Sequence, residues 1–428
     1  MTIFILAAAF VALVAFGIPI SFAMGISSLA ALVYQAQLPF NLIVHRTMMG
    51  VDSFVLLAIP LFIFAGTIME QGGISERLVR FAHTLLGRFR GGLPMVVVGS
   101  TMLQSGISGS TVADVSAMSA MTLKPLEEEG YSRPYSLSVI GASCAFAILI
   151  PPCILMVVVA AVANTSVVAV FAAGILPAFV LGAMMLIFIH IQARLNNLPA
   201  GRGASASEVL KGFLDALLAL GVPILIFGGI RAGVATVTEM AAFAVIYALL
   251  VGGFVYRRLS WKRIYDALVE TCVSTGVITM LIGFAMIFSY LLATEGVPMA
   301  VATWMRANEI PPWGVLVLTA LIFVFVGAVL EGAPAVLIFV PILLPVVREL
   351  NIDIVHWLTV VVLASGIGLF VPPTGLAVLV ACSVGKVRME DLVRPLMPFL
   401  LLLLAGLAVI IFFPSISTAL PQAMELTY

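Results

Sequence analysis

Charge is scarce in this chain. Only 9% of its 428 residues are Asp, Glu, Lys or Arg, against about 25% in a soluble domain, which excludes a globular protein with a water-facing surface. The alternating ten-residue segments of a membrane barrel are also missing, so helices are the remaining way to satisfy a backbone in lipid. The four cysteines, Cys144, Cys153, Cys272 and Cys382, have no short paired spacing, which argues against a disulfide framework or a zinc site. The four histidines, His45, His83, His190 and His356, fall near segment ends, where an intramembrane proton relay is not expected. A cleavable signal pattern is lacking too: the first apolar run has no basic leader and passes into a second, so Met1 onward is expected to belong to the structure. The formal net charge of 0 points to no class of partner.

What fills the chain is apolar sequence, 63% of it. Runs near 20 residues suit helices crossing a hydrocarbon core of about 30 Å. Apolar windows predict ten spans, at 2–18, 20–36, 54–71, 135–164, 166–192, 213–231, 238–256, 271–293, 355–383 and 391–413. The first two meet at "GIPIS", where one long tilted helix is an alternative. The connectors around 75–90 and 258–270, with basic and aromatic residues interleaved, read as interfacial helices.

Two apolar regions do not read as spans. In residues 94–123 the polar stretch "SGISGSTVAD" divides two arms of about 12 residues, each reaching about 18 Å. Arg88 and Arg90 precede the region and Lys124 and Arg133 follow it, so it is expected to enter and leave on one side as a re-entrant hairpin. A second such region, 312–347, breaks at "LEGAPA", with Glu331 expected to face solvent at its tip. With both as hairpins, every one of the 20 Lys and Arg except Arg46, Arg231, Arg306 and Arg348 falls on the cytoplasmic side, as the positive-inside rule requires.

The halves resemble each other at a shift of about 222 residues: "FAGTIMEQGGI" with "SYLLATEGV", hairpin with hairpin, and "AILIPPCIL" with "GLFVPPTGL". An odd number of crossings lies between the hairpins, so the copies are expected to be inverted, as in secondary transporters. Doubled prolines remove backbone donors and clash with the preceding turn. Pro151-Pro152 and Pro372-Pro373 should therefore unwind their helices within the membrane and free carbonyls there. Asp114, one turn past the first tip, is expected to cap or orient the second arm.

Taken in order, "SGSTVAD" followed by "GY", "IPPCI", "GGIRAGVATVTEMAAFAVIYALLVG", "EGAP" and "VPPTGL" resemble the large membrane subunit of tripartite ATP-independent periplasmic (TRAP) transporters over nearly the whole chain. The resemblance implies an all-α polytopic fold, an inverted-repeat elevator-type secondary transporter, importing a small organic acid (sialic acid or C4-dicarboxylate type) with Na+ across the bacterial inner membrane. Its implied partners are a small four-helix membrane subunit, a periplasmic substrate-binding protein and membrane lipids, with no nucleic acid. The implied division is scaffold at 1–71 and 193–257, arms at 72–92 and 258–310 (the latter with a connecting helix), transport domain at 93–192 and 311–413, and a tail at 414–428.

Carried over on the matching motifs, the first sodium site comprises Ser108 and Ser110 with carbonyls of Ala147, Ile150 and Pro152. The internal repeat places a second at Gly332, Gly368, Val371, Pro373 and Thr374. The substrate region is expected at Ser105, Gly109, Thr111, Gly332 and Ala333. Hydroxyls and carbonyls together give a small monovalent cation several oxygens without excess charge. Two positions depart from the family: its usual serine after the first proline pair is Cys153, and its "TPTE" is "TVTE".

Three other readings are weighed. A self-sufficient divalent-anion/sodium symporter shares paired hairpins but needs no periplasmic protein. A serine hydrolase is disfavoured because "GISGS" lacks the closing glycine of the nucleophile elbow and no mid-span histidine is present to act as base. A helical scaffold without transport predicts no sodium-dependent uptake.

Overall fold

Glycine divides the first apolar stretch. α1 (Thr2–Ala15) and α2 (Ile20–Gln35) pack on each other as separate helices, with Gly17 between them at φ 79°; a left-handed residue ends a right-handed helix, so no single tilted helix forms. The computed structural model describes residues 1–428 except 36–38, 40, 197–203, 232, 331 and 427–428. Glu331 and part of the connector before residue 206 thus lie outside the described residues. Among those described, every regular element is helical.

The apolar windows pass over α3 (Asn41–Val51), which His45 and Arg46 dilute. It docks on the long helix described below, with the Arg46 guanidinium 4.0 Å from the centre of the Tyr290 ring. A 3-10 turn leads into α4 (Ala58–Gln71), then α5 (Ile74–Leu86), whose charged and apolar faces match the expected amphipathic connector. Next come α6 (Gly92–Ser108), α7 (Thr111–Glu128), α8 (Arg133–Ala147), α9 (Ile154–Ala163) and α10 (Val167–Leu195). Two linking helices follow, α11 (Ala206–Arg231) and α12 (Val237–Leu250), the second opened by a Thr236–Glu239 capping box. The threonine cap thus starts α12 without the family's proline.

The connector around 258–270, expected to form an interfacial helix, is helical from Trp261 onward but is continuous with the span that follows it. Ser260 caps Arg263 N, and α13 (Trp261–Thr294) then runs 34 residues without interruption, about 51 Å, because no proline lies within it. The short amphipathic helix of this half is instead α14 (Val297–Ala307). It precedes α15 (Pro312–Val329), α16 (Gly332–Glu349), α17 (Ile354–Gly368), α18 (Leu376–Gly385) and α19 (Met389–Phe412). The final segment folds as α20 (Ser415–Ala423), packed on α10 and α17.

The succession of helices recurs. α6 to α9 have 17, 18, 15 and 10 residues, and α15 to α18 have 18, 18, 15 and 10. Left-handed residues punctuate both runs at related places: Gly73 and Gly296, Gly130 and Asn351, Asn164 and Lys386. Packing interlocks the runs, with α9 against α16 and α18 against α7.

The hairpin arms are longer than the sequence reading allowed. At 17 and 18 residues, α6 and α7 are each about 26 Å, because the helix continues through Gln104, Ser105 and Gly106 on one side of the tip and through Lys124 to Glu128 on the other. Only Gly109 and Ser110 leave the helical path. The expected spans 135–164 and 355–383 are each two helices, broken after Ala147 and after Gly368. Among the described residues, eight helices are long and apolar enough to cross a membrane, α15 and α16 among them, and α1, α2, α9, α17 and α18 are shorter apolar helices.

Candidate functional site at the hairpin tips

The first tip is ordered by its own polar side chains. Gly109 (φ 64°) ends α6, and Ser110 in extended geometry starts α7, its Oγ accepting from Ala113 N at 3.5 Å. The Ser108 hydroxyl donates to Asp114 Oδ1 at 2.5 Å and accepts from Ser110 N at 3.3 Å. Asp114 sits in the first turn of α7, as the sequence suggested, but Ser110 is the cap; the carboxylate orients Ser108 instead. Asp114 is fully buried, and although the Ser105 hydroxyl lies close enough to interact with its carboxylate, Oδ2 has no partner in hydrogen-bonding geometry among the described residues.

Glycines let this tip lie directly on its neighbours. A methyl group at Gly66 of α4 would stand 2.6 Å from the Ile107 carbonyl oxygen, and methyls at Gly106 and Gly109 would stand 3.0 and 3.2 Å from the carbonyl oxygens of Pro151 and Pro152. The tip therefore rests on the break between α8 and α9. Pro151, Pro152 and Cys153 are all buried, and Cys153 offers no side-chain cap to α9. Ser108, Ser110, Ile150 and Pro152 are thereby gathered in one neighbourhood, with Ala147 a turn away, its carbonyl accepting from Ile150 N at 2.8 Å. The Pro151-Pro152 and Pro372-Pro373 peptides are both cis.

The second tip is built differently. A methyl at Gly368 would meet the Val324 carbonyl oxygen at 2.6 Å, which fixes α17 against α15, while Gly332 faces Leu155 and Ser365. Around the second break the Gly368 carbonyl accepts from Val371 N and the Val371 carbonyl from Gly375 N, both at 3.0 Å. Pro373 and Thr374 are exposed. The related residues of the first break are enclosed, so the two breaks are not equivalent surroundings.

One cavity of about 360 Å³ joins the tips. Gly109, Thr111, Gly332 and Ala333 of the expected substrate region line it, together with Ser108 and Ser110; Ser105 does not, being buried behind the tip beside Asp114. Among the lining residues that sequence reasoning missed are two acidic ones, Glu70 on α4 and Glu270 on α13. Glu70 was visible only as part of a repeated motif, and nothing near Glu270 marks it.

Comparison with known proteins places this arrangement. Residues 7–416 match the family model described as the tripartite ATP-independent periplasmic transporter, DctM component. The chain belongs to that family. Among relatives of this DctM component, it is 35% identical over 371 residues to the C4-dicarboxylate TRAP transporter large permease protein DctM of Pseudomonas aeruginosa, covering 87% of each protein. It is 31% identical to the sialic acid TRAP transporter large permease protein SiaM of Vibrio cholerae, covering 95% of each. In fold it is similar to the crystal structure of the Alcanivorax borkumensis YdaH transporter, with a TM-score of 0.66 at 16% identity over 90% of this chain and 89% of that one. The DctM component is thus an all-helical, multi-pass inner-membrane permease subunit and not an enzyme.

Proposed function

We propose that this DctM component imports a small organic acid in company with sodium, by an elevator movement of the hairpins and broken helices against a scaffold. The observation that carries the reading is Asp114. A carboxylate enclosed in apolar protein costs several kcal/mol unless a positive charge meets it, and no ion pair involves Asp114 among the described residues. Its free Oδ2 beside Ser108 supports a cation at the tip.

The first set of oxygens fits sodium. Ser108 and Ser110 Oγ each accept one bond and keep a second lone pair, and carbonyls such as Ala147 keep one as well. Among the described residues no cluster of three His, Cys, Asp or Glu is present that would suit a divalent metal instead. The second sodium site, at Gly332, Gly368, Val371, Pro373 and Thr374, is proposed from the recurring helix order and would rest on backbone oxygens and one hydroxyl.

In this reading α6–α7 and α15–α16 are re-entrant hairpins, and α4–α10 and α13–α19 are inverted copies, which the distribution of Lys and Arg supports. A small four-helix membrane subunit and a periplasmic binding protein complete the transporter, supported by the tripartite character of the family. Relatives named for sialic acid and for C4-dicarboxylates support an organic acid as solute.

The test is uptake into proteoliposomes holding both membrane subunits, with the binding protein outside and the sodium gradient varied. Ser108→Ala combined with Ser110→Ala is expected to raise the sodium concentration at half-maximal uptake. An unchanged sodium curve would remove the first site, and parent uptake indifferent to sodium would remove the coupling.

A further inference from the structure

Among the described residues, the cavity between the tips carries ionisable side chains of one sign only. Glu70 and Glu270 line it, near enough for their charges to interact, and no described Lys, Arg or His does. Neither carboxylate belongs to an ion pair among the described residues.

Another part of the wall has the opposite character. Ser110 to Ala113 bring the N-terminus of α7, and Gly332 and Ala333 that of α16; first-turn amides lack intrahelical acceptors and carry partial positive charge. Thr111 lines the same space and is only 6% exposed, yet its Oγ1 has no hydrogen-bond partner among the described residues. A buried hydroxyl left unpaired costs free energy that a bound ligand can recover.

A ligand touching both parts of the wall must be an acceptor at one end and a donor at the other. The amides and Thr111 suit a carboxylate. Glu70 and Glu270 suit hydroxyls or an ammonium, and would meet a second carboxylate with repulsion that no cationic side chain among the described residues relieves. Resting on the import reading above, we propose that the solute is a monocarboxylate whose far end carries hydrogen-bond donors, and that Glu70 and Glu270 reject four-carbon dicarboxylates.

Binding to the full-length chain in lipid nanodiscs, measured by calorimetry with and without sodium chloride, tests this with three probes. Gluconate presents hydroxyls, 4-aminobutyrate a primary ammonium, and succinate a second carboxylate. Sodium-dependent binding of gluconate or 4-aminobutyrate is expected, with succinate at least about tenfold weaker; which of the two binds separates a hydroxyl end from an ammonium end. Glu70→Gln with Glu270→Gln, isosteric changes that remove both charges, should narrow the gap to about threefold or less. If the double variant does not fold, Glu270→Gln alone should narrow it part of the way. Succinate binding as tightly as the monocarboxylates, or a gap unchanged in the folded variants, would overturn the proposal while leaving organic-acid import standing. Absence of sodium-dependent binding by all three probes would count against the import reading and take this one with it.

Discussion

Asp114→Asn is expected to leave the protein folded and to raise the sodium concentration for half-maximal uptake by about tenfold or more. The carboxamide oxygen still accepts from the Ser108 hydroxyl, replacing the 2.5 Å bond to Oδ1, so the tip keeps its shape while the charge is lost. A hydrogen bond to a charged group contributes about 1.5–3 kcal/mol, and a buried charge facing its counterion contributes at least as much. Tenfold in affinity corresponds to about 1.4 kcal/mol, which lies below either figure. Asp114→Leu goes further, because it strands the Ser108 hydroxyl as well, and should abolish uptake. Sodium titration of uptake separates the roles: if Asp114→Asn shifts nothing and Asp114→Leu alone fails, the carboxylate only positions Ser108.

The largest effect on stability is expected at Gly366. A methyl there would lie 2.3 Å from the Ala145 carbonyl oxygen and 2.8 Å from the Ile148 side chain, where α8 and α17 cross. Every residue of α17 from Val355 to Gly368 is buried, so the helices can part only by displacing packed core. Overfilling a packed interior costs about 1–3 kcal/mol or more, and a backbone oxygen cannot swing aside as a side-chain end can. Gly366→Val should therefore prevent accumulation of folded protein, and Gly366→Ala should lower the unfolding temperature in detergent. Gly276 provides the control: nothing lies within 4 Å of its would-be methyl, and Gly276→Ala should gain about 0.5–1 kcal/mol from helix propensity. Equal unfolding temperatures for Gly366→Ala and the parent would show that the crossing is looser than described.

The two sites differ in how far sequence could reach them. Ser110 enters the first site through the family resemblance, while its capping of α7, a role the sequence suggests for Asp114, is a relation spanning only three residues. The breaks after Ala147 and Gly368 were recognisable because doubled prolines cannot continue a helix. The sequence makes the arms of the first hairpin look short because polar residues mark the end of each apolar run, whereas Gln104 and Ser105 stay helical on a buried face. The start of α13 was missed because basic and aromatic residues around 261–265 resemble a surface segment, though nothing in them stops a helix from propagating. Which of two chemically similar breaks would be enclosed was not written locally at all: Cys153 is buried and Thr374 exposed because different helices pack beside them.

By itself the sequence determined an all-helical membrane protein, the positions where its helices break, the recurrence of one helix succession, and family membership. Each of these follows from local rules: apolar length, proline and glycine geometry, and the order of short motifs. Only the tertiary structure decided that the two tips share a cavity, that Asp114 holds Ser108 with one oxygen to spare, and that Glu70 and Glu270 both line that cavity. Those facts join residues up to about 260 positions apart, and contact at such separation is set by which helix faces pack together, a global property that no window along the chain contains.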